Sequence, residues 1–321
     1  MSQRPQAGDW LLLEVFTSET EATVIAQGAV VKPFLPLGKI IRSATHRTVV
    51  ETSITAIRPR PYPRDFTQGG TRYVFRPLLD YGNTLSAILV HYGPVDAPVS
   101  TPPRCGVWSF DLDTGVAVSS DEMNDLHNLQ AGQRVSQRPI HEALARIVGP
   151  DPCATAKLIR RKIGDTHQGL EVITNDDGEQ WLAAYSAGFT VTNDGQIRVQ
   201  GITRHAGNPN IAANPADLSA QILRSTAQPG LFRAIIDPAT GNLLRSYDPP
   251  PIPNVSTLSD LAPDAKEAHR LHESVRECAE TEEPVLSIPV RDQMTADFYP
   301  VSLDGTQAVL GAFRDPLAET M

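Results

Sequence analysis

The chain has 321 residues, 40% of them hydrophobic and 20% charged, with a formal net charge of −9. At about 100 to 200 residues per domain this is room for two or three globular units with real cores, and the negative balance works against a general grip on nucleic acid or an anionic membrane. Three cysteines, Cys105, Cys153 and Cys278, are odd in number and far apart, which suits neither a disulfide framework nor a zinc site and points to a reducing compartment, the cytoplasm.

The N-terminus has no apolar core before a small-residue cleavage site, so no signal peptide is expected. No apolar run approaches the roughly 18 residues of a membrane span. The densest basic run, Arg160-Arg161-Lys162, reads as one solvated helical turn.

Polar hairpin turns recur roughly every 110 residues, with glycines Gly82, Gly195 and Gly305, and each is followed by a strand that stops at Gly or Pro. That spacing is the size of one domain, and it divides the chain into units at 1–95, 104–207 and 216–316. In the first unit, residues 11–16 read as a strand, and Ser18 to Glu21 has the Ser-x-x-Glu spacing of a helix-opening capping box. Strands are then expected over 48–57, 73–79 and 85–92. Residues 96–104, D-A-P-V-S-T-P-P-R, form a proline-rich linker.

The second unit opens with G-V-W-S-F-D-L-D-T-G at 106–115. A strand carries Trp108 and Phe110, and an Asp turn is closed by Gly115, free to take a positive φ. Ser119 and Glu122 then offer a capping box for a short helix over Met123, Leu126 and Leu129. Ile140, Leu144, Ile147 and Val148 fall at helical spacing before Gly149. Asp151-Pro152 restarts a helix whose apolar side is Leu158, Ile159 and Ile163. Strands over 170–174, 180–192 and 197–205, joined by N-D-D-G and N-D-G turns, complete it.

After a second linker at 208–215, a leading helix over Leu218, Ile222 and Leu223 opens the third unit. G-L-F-R-A-I-I-D-P-A-T-G at 230–241 then repeats the aromatic strand and Asp–Gly turn. Strand 243–247, helix 264–280 and strands 285–290, 297–303 and 307–314 follow. The fold class this order specifies is α/β of the α+β kind, each unit a five-stranded antiparallel sheet with short helices on one face.

The openings G-V-W-S-F-D-L-D-T-G followed by S-S-D-E-M-N-D-L, and F-R-A-I-I-D-P-A-T-G-N-L-L, resemble the start of a PAS domain. The whole order resembles tandem PAS-like units and the related GAF fold, as in actinobacterial proteins of unassigned activity. The likeness covers about two thirds of the chain; the first unit lacks the aromatic–Asp–Gly opening and is a degenerate PAS-like or GAF-like copy. It implies a sensory or regulatory protein that binds a small ligand, protein partners or a second copy of itself. No cofactor motif is present, so the cofactor stays unknown.

The side chains expected to wall a pocket are Trp108, Phe110, Trp181 and Phe232, core aromatics first. His269 and His272, three apart on a helix, could share a metal, but no further ligand at suitable spacing completes the set. As haem ligands, His141, His167, His269 and His272 are formal candidates only. His91 and His205, each two residues before a strand-end glycine, read as polar caps facing water. Asp111, Asp113 and Asp237 read as turn residues bonding their own backbone. No nucleophile elbow, phosphate loop, dinucleotide fingerprint or His-Glu-x-x-His is present, so no enzyme is expected; the alternatives to a sensor are an interaction scaffold with side-chain-filled pockets and, after it, an enzyme with an unrecognised site. With three units filling the chain, the signal is expected to leave through a partner or self-association. The helix over Leu218 to Leu223 is the expected dimer surface.

Overall fold

The structure, a computed structural model, describes residues 9–148, 152–160, 162–175, 177–191, 195–208, 228–291, 293–303 and 305–315 and folds them into three antiparallel sheets with few, short helices, an α+β arrangement. The leading helix over Leu218, Ile222 and Leu223 lies outside the described residues. So do the first eight residues, nearly all of the second linker, Gly149, Asp151, Arg161, Asp176, Asn193, Asp194, Asp304 and the Cys153 side chain.

The first sheet is built from β1 (Leu11–Glu14), β2 (Thr23–Gln27), β3 (Val30–Pro36), β4 (Arg64–Gln68), β5 (Thr71–Leu79) and β6 (Leu85–Pro94), in the order β3-β2-β1-β6-β5-β4. Its helices are α1 (Leu37–Ile40) and α2 (Ala44–Ile57). Two expectations fail here. Residues 48–57 are helical, not extended. Val50, Ser53, Ile54 and Ile57 bury one stripe at spacings of three and four, and the Ser43 side chain caps the start by accepting the His46 amide. Ser18 does accept the amides of Thr20 and Glu21, as a cap would, but the chain then enters β2, whose Val24, Ile25 and Ala26 are buried. Capping chemistry serves a turn there, and no helix follows.

The second sheet contains β7 (Cys105–Asp111), β8 (Val116–Ser119), β9 (Gln137–Pro139), β10 (Ile147–Val148), β11 (Thr166–Thr174), β12 (Gln180–Val191) and β13 (Ile197–Gly207), ordered β10-β11-β12-β13-β7-β8-β9. Over one face lie α3 (Asp121–Leu126), α4 (Ile140–Leu144) and α5 (Pro152–Arg160). Ser120, not Ser119, is the cap of α3, its Oγ accepting the Met123 amide at 3.2 Å. Ile147 and Val148 leave the expected helix and pair with Ile173 and Val172 as β10. Ile163 falls beyond α5 and is exposed.

The third sheet contains β14 (Leu231–Ile236), β15 (Leu243–Ser246), β16 (Val285–Pro289), β17 (Thr295–Leu303) and β18 (Thr306–Arg314), ordered β15-β14-β18-β17-β16. Its helices are α6 (Leu258–Leu261), absent from the sequence expectation, and α7 (Ala265–Thr281), capped by Asp264. One five-strand plan underlies all three sheets, with the first strand between the second and the last, then the fourth and third. The first sheet adds β3 and the second adds β9 and β10, so the expected five strands are the shared core and not the full count.

Strand alternation gives β1 and β6 two buried faces. Leu11 and Leu13 pack under α2 with Val50, Ile54 and Phe75, while Leu12, Leu89 and Ala87 pack against Cys105, Val107 and Ile202 of the second sheet. The second and third sheets meet differently. Leu244 of β15 joins the core formed by Phe110, Leu112, Ile140 and Phe189, and Asn242 Nδ2 donates to the Leu112 carbonyl at 2.6 Å.

Candidate functional site

The Asp–Gly turns of the second and third units are copies at the level of single hydrogen bonds. The Gly115 amide donates to the Asp111 carbonyl at 3.0 Å, and the Gly241 amide to the Asp237 carbonyl at 2.7 Å. Both glycines have φ near +70°, the left-handed region that a side chain would strain (71° and 72°). Asp111 Oδ1 accepts the amides of Asp113 and Thr114, while Asp237 accepts the Ala239 amide and the Thr240 hydroxyl. Each glycine carbonyl then accepts the first amide of a later helix at 2.9 Å, from Ile140 of α4 in one copy and Leu258 of α6 in the other. These carboxylates are spent on their turns, and α6 is the counterpart of α4.

The two copies differ in what fills them. In the third sheet Phe232, Phe298 and Phe313 are each no more than 2% exposed and pack ring against ring beneath Leu271 and Val275 of α7. In the second sheet a cavity of about 140 Å³ lies between the same face of the sheet and its helices. Its floor is one side of four strands: Trp108 and Phe110 of β7, Val199 and Thr203 of β13, Ala183, Tyr185, Ala187 and Phe189 of β12, and His167, Glu171 and Ile173 of β11. The space arises from small residues. Trp108 pairs with Gly201 across the strands, and a Cβ there would lie 2.1 Å from the indole Cζ2; Tyr185 likewise lies over Gly169. Ala183 and Ala187 keep the floor between them low.

The roof is Met123 and Asn124 of α3 with His127, then Ala143 and Leu144 of α4 with Arg146 and Ile147, and Thr155, Lys157 and Leu158 of α5. One wall residue comes from the third sheet. Arg245 of β15 is only 6% exposed, and its guanidinium lies 5.7 Å from the Tyr247 ring centre.

The polar part of the lining is organised. Trp108 Nε1 donates to Thr203 Oγ1 at 2.9 Å, which fixes the indole. Lys157 Nζ donates to His167 Nδ1 at 2.7 Å, leaving His167 Nε2–H to donate to Tyr185 Oη, also at 2.7 Å. Burial first, and then the nearby Arg146 and Arg138 guanidinium groups, push the His127 pKa down to about 3, so its imidazole is neutral. Four cationic side chains, Arg138, Arg146, Lys157 and Arg245, line the cavity against one carboxylate, Glu171.

Of the four aromatic residues expected at a pocket, Trp108 and Phe110 wall this cavity with ring centres 4.6 Å apart. Trp181 is packed with Met123, Leu126 and Ile173, its Nε1 donating to Asn175 Oδ1, and Phe232 belongs to the filled third core. His167 is at the cavity. His141 is fully buried outside it, its Nε2 donating to the Val255 carbonyl at 2.5 Å while Nδ1 faces Ser246 Oγ at 3.0 Å. His269 is exposed beside Glu273, and His272 faces Ser259; among the described residues no cluster of three or more His, Cys, Asp or Glu is arranged to hold a metal. His91 does not face water as expected. It is 3% exposed against Trp10, because β6 is buried on both faces, and His205 is half-buried and stacked on Trp181. Arg146 and Arg245 were not singled out in the sequence, where no spacing ties them to Trp108.

A wider cleft of about 610 Å³ runs between β5, β6 and the proline-rich linker, with Arg76, Pro103 and Cys105 on its walls. Burial pushes the Cys105 thiol up to about 12, so it is no nucleophile there; Cys105 and Cys278 are both free and buried. Among the described residues no helix is long and apolar enough to cross a membrane.

The fold and cavity thus define an α+β protein of three antiparallel sheets, one of them hollow. No family model matches the chain, and no curated protein does. Among solved structures, an uncharacterised protein from Mycobacterium tuberculosis is similar over 96% of both chains, with 21% identity and a TM-score of 0.74, and shares the fold. A sensory box histidine kinase/response regulator from Burkholderia thailandensis is similar over 38% of this chain and 92% of its own, with 13% identity and a TM-score of 0.28. An RNA-binding light-oxygen-voltage receptor is similar over 67% and 96%, with 11% identity and a TM-score of 0.27.

Proposed function

We propose that this is a sensory or regulatory protein of tandem PAS-like units, non-enzymatic and cytoplasmic, in which the second unit holds a small ligand. The observation that carries this reading is the contrast between two copies of one plan. The third is filled by phenylalanines, and the second keeps a cavity of about 140 Å³ with apolar walls and converging polar groups. An unused hollow forfeits packing contacts. The units are those at 1–95, 104–207 and 216–316, and the output is a protein partner or a second copy of the chain.

Native mass spectrometry of protein purified from its own host, beside an absorbance scan, tests the ligand. A bound mass or a chromophore band supports the sensor. A clean apo mass favours the other reading, an interaction scaffold, to which the filled third core lends weight. Sedimentation at micromolar concentration tests self-association, and a strict monomer counts against it.

A further inference from the structure

We infer that the cavity takes a neutral single ring with an amide-type edge, a carbonyl beside a ring N–H, its ring against Trp108 and Phe110 and that edge paired to the Asn124 carboxamide beside His127. This rests on the reading of the cavity as a ligand site. Three independent observations carry it.

The first is a set of buried polar groups with nothing to bond. Asn124 of α3 lines the cavity and is 4% exposed, and among the described residues its carboxamide meets no donor or acceptor. His127, which closes α3, lies one turn further along the same side, and its Nδ1 is buried without a partner. Thr155 of α5, 6% exposed, adds to the roof a hydroxyl that bonds to no described residue. Buried polar groups are nearly always paired, and leaving one unpaired costs stability, so an unpaired set around one hollow marks what the hollow holds.

The second is charge, which is already answered inside the protein. Lys157 donates to His167, and Arg138, Arg146, Glu171 and Arg245 each have a partner in the chain. His127 is neutral, since burial first and then the nearby guanidinium groups hold its pKa at about 3. The groups left to recognise an occupant are therefore uncharged, and a charged occupant would enter without a counter-ion.

The third is shape. A cavity of about 150 Å³ lined by apolar side chains holds one benzene ring, and this one is about 140 Å³. Trp108 and Phe110, with ring centres 4.6 Å apart, make a wall for one ring face, and water alone would leave that apolar wall wet. A carboxamide carries its acceptor and donors in one plane, so it forms two parallel bonds with an edge that sets a carbonyl next to an N–H.

Calorimetric titration of the intact chain with 2-pyridone, toluene and benzoate tests the inference. The three rings are close in size; the first carries the amide edge, the second has no polar group, and the third is an anion. 2-Pyridone is expected to bind at least ten times more tightly than either of the others. Asn124→Leu should remove that preference while leaving toluene within about twofold of its original affinity. Because Asn124 is buried and this variant could fail to fold, nuclear magnetic resonance of the unaltered chain provides a second measurement: 2-pyridone, but not toluene, is expected to move the Asn124 side-chain amide protons downfield and slow their exchange.

Toluene binding as tightly as 2-pyridone overturns the amide edge while leaving the ligand cavity standing. Benzoate binding as tightly as 2-pyridone overturns the neutral class. Unchanged 2-pyridone affinity in Asn124→Leu, or Asn124 amide protons that ignore 2-pyridone, overturns the pairing. Binding of none of the three overturns the inference outright, and a bound mass on protein from its own host would then keep the ligand-site reading standing without it.

Discussion

His127 and His141 are both histidines whose pKa is lowered on folding, with burial the largest cause in each. A group of that kind leaves the unfolded chain holding an extra proton below the ordinary histidine value, so stability rises with pH through that window and is lost as acid is added. For His127 the window runs from the usual 6.5 down to about 3. The expected outcome is a urea-unfolding free energy that falls between pH 6 and pH 4. His127 alone contributes up to about 1.4 kcal/mol per pH unit, the energy of one proton's uptake. In His127→Gln the slope should be smaller by about that amount. An unchanged slope would place the acid sensitivity on other groups.

At the scale of single elements, β14 and the chain after β15 are held by a buried ion pair. Arg233 Nε and the Arg233 amide both donate to Asp248 Oδ2, at 2.7 and 3.0 Å, and Arg233 Nη2 donates to Oδ1 at 2.8 Å. Both side chains are under 10% exposed (7% and 3%), so removing one strands a charge. Arg233→Met is expected to lower stability by about 3 to 5 kcal/mol, and the double variant with Asp248→Leu should recover much of it; chemical denaturation measures both. Elements with strong local signals were legible in the sequence: the Asp–Gly turns, the long hairpins of all three sheets, and α7. The stretch that became α2 was not, because T-V-V-E-T-S-I-T-A-I is rich in β-branched residues and one of its four buried positions is Ser53. Four-residue α6 is too short to show a period; it is opened by a Thr257–Asp260 capping box, the Thr257 amide donating to Asp260 Oδ2 at 2.8 Å, and by the Gly241 carbonyl, as α4 is by that of Gly115. Trp108 and Phe110 could be read as pocket walls from an aromatic strand. Arg245 could not, since it reaches the cavity only when a second unit docks.

At the scale of the molecule, that docking makes the second and third sheets one body. His141 reaches Ser246 and the Val255 carbonyl, Asn242 reaches Leu112, and Leu244 completes the core under α4. The two sheets are therefore expected to unfold in a single transition. His141→Ala, which empties a fully buried site and leaves Val255 and Ser246 without this partner, should cost about 2 to 4 kcal/mol and separate the transition into two, as followed by circular dichroism beside tryptophan fluorescence. The seam also has a bearing on synthesis. His141 and Ser246 are 105 residues apart, and at about 5 to 20 residues per second a ribosome takes roughly 5 to 20 s to travel from one to the other. For that interval the nascent second unit stands with α4 uncovered, which gives a chaperone a period of access that the finished protein does not offer.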